Sequence, residues 1–163
     1  MVHDQRALPE LTDLTAAHWT SGASGRLSVR RCVHCLRWSF PPSRCCRHCW
    51  STDFTIEQVT GKGVLLTWTE VHDQAWSPRS DPGGQERSPR SDPGVQPRPY
   101  FVAVVELEEG IRLLLGLTGV EPGALRVDTP IRLYFEHIGG DIWLPLAEVE
   151  ELELPEDRLE AVS

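Results

Sequence analysis

The residue pattern predicts a mainly β chain built from a short N-terminal helix, a small ribbon held by a metal ion, and a five-stranded barrel. Three observations lead there. Two Cys-x2-Cys pairs, Cys32/Cys35 and Cys46/Cys49, stand ten residues apart. After Phe54, apolar residues recur mostly with the period of two that marks half-buried strands. Helical spacing is confined to one short stretch, residues 8–20.

The cysteines come first, because the rest is arranged around them. The stretch RCVHCLRWSFPPSRCCRHCW runs from Arg31 to Trp50. A Cys-x2-Cys pair can turn back on itself and aim two thiolates at one point, so two pairs make a tetrahedral four-sulfur site. Zinc suits such a site because it imposes no preferred d-electron geometry. Cys32, Cys35, Cys46 and Cys49 are therefore the candidate ligands, and the ion is expected to be structural, since four thiolates fill its shell. Cys45 lies next to Cys46 and could replace it only by spoiling the second spacing, so it reads as a spare thiol. Iron and a pair of disulfides are the competing readings, and an odd total of five cysteines counts against disulfides. Leu36 and Trp50 stand directly after the pairs, where glycine is usual.

The chain has 163 residues and a net charge of -8, unevenly placed. No Asp or Glu occurs between Asp13 and Asp53, a span holding Arg26, Arg30, Arg31, Arg37, Arg44 and Arg47. Past Gly140 the balance reverses, with Asp141, Glu148, Glu150, Glu151, Glu153, Glu156, Asp157 and Glu160 against Arg158. This polarity favours oriented contact with a partner over broad nucleic-acid binding. A ribbon of roughly 25 residues cannot fold on its own apolar surface, and in small zinc peptides the metal supplies about 10–16 kcal/mol. The N-terminal residues show no apolar run, so neither a leader nor a spanning helix is expected and a cytoplasmic location is the default.

In chain order, residues 1–26 are expected to hold the helical segment. Leu11, Leu14, Ala17 and His18 have helical spacing, Thr12 or Asp13 is the candidate cap, and Gly22 or Gly25 the stop. Residues 27–53 form the ribbon, with Trp38, Phe40 and the stiff Pro41-Pro42 between the knuckles. Residues 54–150 form the barrel domain. Its first strand is expected to bend at Gly61-Lys62-Gly63. Residues 77–87 recur as 88–98 with nine of eleven positions identical, which predicts an expanded polar loop over 73–99. Tyr100–Leu107 and Ile111–Thr118 read as a hairpin about Gly110. Pro130–His137 and Ile142–Val149 supply the last strands, Pro145 demanding an edge or bulge. Five antiparallel strands with one long loop suit a small OB-type barrel, with an SH3-like barrel as the rival. Residues 151–163 form an acidic tail.

No catalytic constellation emerges from this pattern. Cys45 beside His34 or His48 is the nearest thiol–imidazole pairing, and it lies inside the metal loop without a third orienting group. No phosphate loop, HExxH or GxSxG occurs.

The paired knuckles, Phe40-Pro41-Pro42 between them, Gly61-x-Gly63 opening the barrel, and the hairpin at Gly110 together resemble the DUF35 family over residues 8–72 and 99–149. The resemblance implies a rubredoxin-like zinc ribbon followed by an OB fold, with Zn2+ on Cys32, Cys35, Cys46 and Cys49 and no organic cofactor. It also implies a non-catalytic accessory subunit. The partner would be a thiolase-like protein of the lipid-transfer type, or a MaoC-like hydratase, working on acyl-CoA thioesters at a shared interface. Arg30, Arg31, Arg37, Arg44, Trp38 and Phe40 are the candidate contacts to that partner or to CoA phosphates. Two other functions stay open: a single-stranded nucleic-acid binder, which the acidic balance disfavours, and an independent acyl-CoA enzyme.

Overall fold

A computed structural model describes residues 8–72, 100–120 and 123–150. The expected loop over 73–99 and the acidic tail over 151–163 lie outside the described residues.

The N-terminal helix is shorter than its apolar spacing suggests. α1 spans only Ala16–Thr20 and runs on into a 3-10 turn, Ser21–Ser24, that Gly25 ends at φ 70°. Thr12 and Thr15 explain the late start. Thr12 N–H donates to Thr15 Oγ1 at 2.9 Å, and Thr15 N–H donates to Thr12 O at 3.0 Å, so these threonines close a turn of their own before the helix begins. The short helical segment docks within the molecule. Gly22 is buried, and a Cβ built there would lie 2.4 Å from Trp143 Cβ and 2.6 Å from Phe135 Cδ1. Only a residue without a side chain lets the 3-10 turn lie this close to the barrel wall.

The ribbon is a three-stranded antiparallel sheet. β1 (Ser28–Cys32) is central, with β2 (Trp38–Ser39) on one side and β3 (Phe54–Gln58) on the other. Arg30 faces Ile56 across β1–β3, and Arg31 faces Trp38 across β1–β2. β3 thus belongs to the ribbon's sheet, whereas the sequence pattern placed Phe54 and Ile56 at the start of the barrel domain. Period-two spacing says that a segment is extended and is silent about which sheet it joins.

The barrel is closed and has five strands: β4 (Lys62–Val71), β5 (Tyr100–Leu107), β6 (Arg112–Thr118), β7 (Pro130–Gly139) and β8 (Ile142–Val149). The order around it is β4-β5-β6-β8-β7, and β7 closes on β4 through Lys62↔Arg132 and Gly63↔Ile131. This is the OB arrangement. One pairing departs from the all-antiparallel expectation: β6 and β8 run parallel, with Gly116 opposite Leu146. Pro145 sits one residue before that parallel pairing begins, where β8 has β7 alone as a neighbour. Its missing N–H therefore costs no ladder bond on the β6 side.

The bend in β4 also falls elsewhere than expected. The register shifts between Leu65 and Thr67, leaving Leu66 as the extra residue of the bulge. The two glycines serve other ends. Gly61, at φ 75°, is the joint between ribbon and barrel, and its carbonyl accepts from Leu133 N–H at 2.7 Å. At Gly63 a Cβ would lie 2.2 Å from the Glu106 carbonyl oxygen, so the close approach of β4 to β5 excludes any side chain there.

One apolar core serves both modules. Leu27, Val29 and Val59 from the ribbon pack with Leu65, Val105, Leu113, Ile131 and Ala147 from the barrel. Val59 N–H donates to Leu27 O at 3.0 Å, which ties the two ends of the ribbon sheet together at this seam.

His18 lies over the same junction, its ring 4.7 Å from Trp19 and 5.3 Å from Phe40. Its Nδ1 is covered and has no hydrogen-bond partner among the described residues. Burial lowers its pKa to about 4, because the cation would lose its water. An unfolded histidine titrates near 6.5, so the unfolded chain binds the proton first as pH falls. Stability is expected to be full above pH about 6.5 and to decline towards pH 4, by up to about 3 kcal/mol from this residue. A His18→Phe variant should show a flatter dependence of melting temperature on pH across that window, read by thermal denaturation.

Candidate metal centre

β1 delivers Cys32 to the end of the sheet, and the chain then turns sharply. Cys32 N–H donates to Arg37 O at 2.9 Å, and Leu36 N–H donates to Cys32 O at 3.0 Å. The second knuckle repeats this pattern: Cys46 N–H donates to Ser51 O at 2.8 Å, and Trp50 N–H donates to Cys46 O at 2.9 Å. Val33 N–H donates to Asp53 O at 3.1 Å, and His34 Nε2 lies 3.1 Å from Asp53 Oδ2, which fastens the first knuckle to the entry of β3.

The two turns bring four sulfurs together. Cys32 Sγ is 3.5 Å from Cys49 Sγ, Cys35 Sγ is 3.5 Å from Cys46 Sγ, and all four lie within 4.8 Å of one another. These separations are too long for disulfides, which need about 2.05 Å. They suit a tetrahedral ion with metal–sulfur bonds of about 2.3 Å, for which the sulfur–sulfur edge is about 3.8 Å. Cys45 is half-buried and outside the group; Ser43 Oγ donates to its carbonyl at 2.7 Å.

Backbone amides prepare the sulfurs for charge. The Cys35 and His34 amides lower the Cys32 thiol, and the His48 and Cys49 amides bring Cys46 down to about 6. The other two sulfurs go the opposite way. Cys49 receives a lowering bond from the Ser51 amide, yet burial and the sulfurs of Cys32, Cys35 and Cys46 push it up to about 12. Cys35 is likewise raised, burial and the sulfurs of Cys46 and Cys32 outweighing the Arg37 amide. Four thiolates in one place repel, and a divalent cation is the group that removes this repulsion by displacing the protons. The donor set therefore fits a structural metal.

The knuckle positions that usually hold glycine are strained. Leu36 has φ 58° and Trp50 has φ 62°, both left-handed, a region costing a residue with a side chain about 1–2 kcal/mol. Both side chains are also exposed, Leu36 at 61% and Trp50 at 77%. The sequence showed that glycine was absent at these places but did not single out the side chains as functional candidates.

The six candidate contact residues divide into two groups. Arg30 lies over the Phe54 ring at 4.3 Å and donates to Ser43 O at 3.0 Å. Arg31 donates to Leu36 O at 2.9 Å, pairs with Glu57 at 3.1 Å and covers the Trp38 ring at 5.1 Å. Thr55 and Arg31 hold the Glu57 carboxyl below its usual range. Trp38 and Phe40 are half-buried and pack on the shared core. These four residues hold the ribbon together. Arg37 and Arg44 are exposed, and neither forms an ion pair among the described residues.

Two family models match in succession. Residues 19–55 match the rubredoxin-like zinc ribbon domain of ChsH2, and residues 57–136 match the C-terminal OB-fold domain of ChsH2. A Thermomonospora curvata protein described as "Probable enoyl-CoA hydratase alpha subunit" is 29% identical over 80% of this chain and 36% of its own length. DUF35 domain-containing scaffold proteins of Pyrococcus furiosus and Methanocaldococcus jannaschii are 36% and 27% identical, over 53% and 68% of this chain and 52% and 68% of their own lengths. The chain thus spans between about a third and two thirds of the length of these curated relatives. Among solved structures, an Ltp2-ChsH2(DUF35) aldolase chain is similar with a TM-score of 0.66 and 26% identity, over 87% of this chain and 98% of that one. A DUF35 protein of unknown function from Sulfolobus solfataricus shares the fold, with a TM-score of 0.50, 13% identity, and coverage of 85% and 87%.

Two outcomes are expected from the knuckles. Stripping the metal with a chelator should expose the four clustered thiols, so that a thiol-reactive dye titrates about four more groups than in the loaded protein. Equal titration before and after would exclude the four-sulfur metal site. Leu36→Gly and Trp50→Gly should each raise stability by about 0.5–1 kcal/mol, relief of the left-handed strain outweighing glycine's larger unfolded entropy. Denaturant unfolding of the metal-loaded protein measures this.

Proposed function

Since the chain belongs to the DUF35 family of zinc-ribbon and OB-fold proteins, we propose that it is a non-catalytic accessory subunit of a thiolase-like enzyme acting on acyl-CoA thioesters. The observation that carries this reading is the likeness to the Ltp2-ChsH2(DUF35) aldolase chain, which runs through ribbon and barrel together and takes in 98% of that chain. The whole architecture is shared, in the same order, with a component of a carbon–carbon bond-cleaving assembly. The Thermomonospora curvata relative, named for an enoyl-CoA hydratase subunit, supports CoA thioesters as the substrate class and a hydratase as a further partner.

In this reading the partner contributes nucleophile and base. Cys32, Cys35, Cys46 and Cys49 would hold a structural zinc, which would offset two of the four thiolate charges and leave no open position for catalysis. This chain contributes surface: the ribbon docks, and a barrel face helps to enclose the acyl chain. Arg37 and Arg44 are exposed beside the knuckles and would meet an acidic partner surface or the phosphates of CoA.

The test is reconstitution. Purified protein is mixed with the thiolase-like protein of the same organism, and acyl-CoA cleavage and formation are followed by product analysis. The expected result is a stable complex with turnover well above either protein alone, and about one zinc per chain by elemental analysis. Absence of any complex together with unchanged turnover would defeat the proposal.

A further inference from the structure

The zinc knuckles carry an exposed apolar tip that the core of this chain does not use. Leu36 follows Cys35 and Trp50 follows Cys49, so both side chains leave the backbone beside the same four-sulfur cluster. Val33, in the first knuckle, is 50% exposed as well. Leu8, Leu11, Ile56, Leu114 and Val127 are exposed too, spread over other parts of the chain. At the tip, three large apolar groups share one small module.

Two further properties set the tip apart. Its backbone is left-handed at Leu36 and Trp50, where glycine would relax it, so the side chains are kept against a local cost. It also presents exposed cations. Arg37 and Arg47 are exposed within the knuckles and form no ion pair among the described residues, while the nearby acids Asp53 and Glu57 are engaged by His34 and Arg31. Leu36 and Trp50 lie outside the shared apolar core, which takes in Leu27 and Val29 at the other end of the ribbon.

We propose that this tip is the anchoring surface for the partner protein, with Trp50 and Leu36 inserted into an apolar socket bordered by carboxylates that meet Arg37 and Arg47. The inference rests on the accessory-subunit reading above and adds the anchor residues and the chemistry of the surface they fit. This chemistry favours a protein as the occupant. Two of the three exposed groups are aliphatic and offer no stacking face to a base, and the chain's net charge of -8 opposes a polyanion. Trp and Arg at the centre of a patch are the side chains that dominate protein–protein binding.

The experiment uses the full, metal-loaded chain and the purified thiolase-like protein of the same organism, with binding measured by calorimetry at several salt concentrations. A Leu36→Gly/Trp50→Gly double variant should bind at least about tenfold more weakly while keeping its zinc and melting no lower than the wild type. Arg37→Glu/Arg47→Glu should weaken binding and flatten its salt dependence. If the wild type binds and the glycine variant binds equally well, the tip is not the anchor, although the accessory-subunit reading survives. If the wild type does not bind at all, both fall. Should the glycine substitutions instead abolish self-association, contact with the chain's own acidic tail, or binding of a single-stranded oligonucleotide, the assigned occupant is wrong.

Discussion

Four thiolates cannot share one small volume unless something cancels their charge, and the ribbon is built on that constraint. The knuckle amides cover part of the repulsion, enough to lower the thiols of Cys32 and Cys46, while burial and the neighbouring sulfurs raise those of Cys35 and Cys49. A divalent cation held by the four sulfurs would do the rest. Once it does, the chain between Cys32 and Cys49 becomes a closed unit, and its two exits are held in register as the antiparallel pair β1–β3. Everything downstream inherits its position from that pair.

The barrel gains from this because the seam is shared. Leu27 and Val59 stand at opposite ends of the ribbon's sheet in sequence, yet both lie in the barrel's core. Loosening the knuckles would free Leu27 and Val59 together, and with them apolar area worth roughly 25 cal/mol per Å2. Gly61 is the conformational joint at this seam, and Gly22 lets the N-terminal turn press on β7 and β8 from outside. Ribbon, barrel and helix are thus coupled through side-chain packing as well as through chain connection.

Much of this is legible in the residues, for reasons that can be named. Two Cys-x2-Cys pairs announce their own geometry because the turn is local. The five barrel strands show through because one face of each must be apolar. What could not be read was every non-local choice: that Phe54–Gln58 pairs with β1, that β6 and β8 run parallel, and that the bulge falls at Leu66 instead of at the glycines. Gly63 illustrates the difficulty. Its reason is the Glu106 carbonyl, which is more than forty residues away in the chain. The arginines tell a similar story. Charge counting marks Arg30, Arg31, Arg37 and Arg44 alike, but Phe54, Ser43, Trp38 and Glu57 occupy the first two and leave the others exposed.

Leu36 and Trp50 are where the local rule and the observed residue disagree, and the disagreement is informative. Folding alone would favour glycine at both positions, since each left-handed residue costs more than glycine's extra chain entropy. Neither side chain repays the cost by burial, because both are largely exposed. A stabilising change is thus available at each position, and the sequence does not have it. Local strain of this kind clusters at working surfaces, where some stability is given up for contact. The two strained residues flank the same sulfur cluster. An ion held by the four sulfurs would fix the backbone of both knuckles, and with it the points from which Leu36 and Trp50 leave the chain, so less backbone ordering would be lost on contact with another surface.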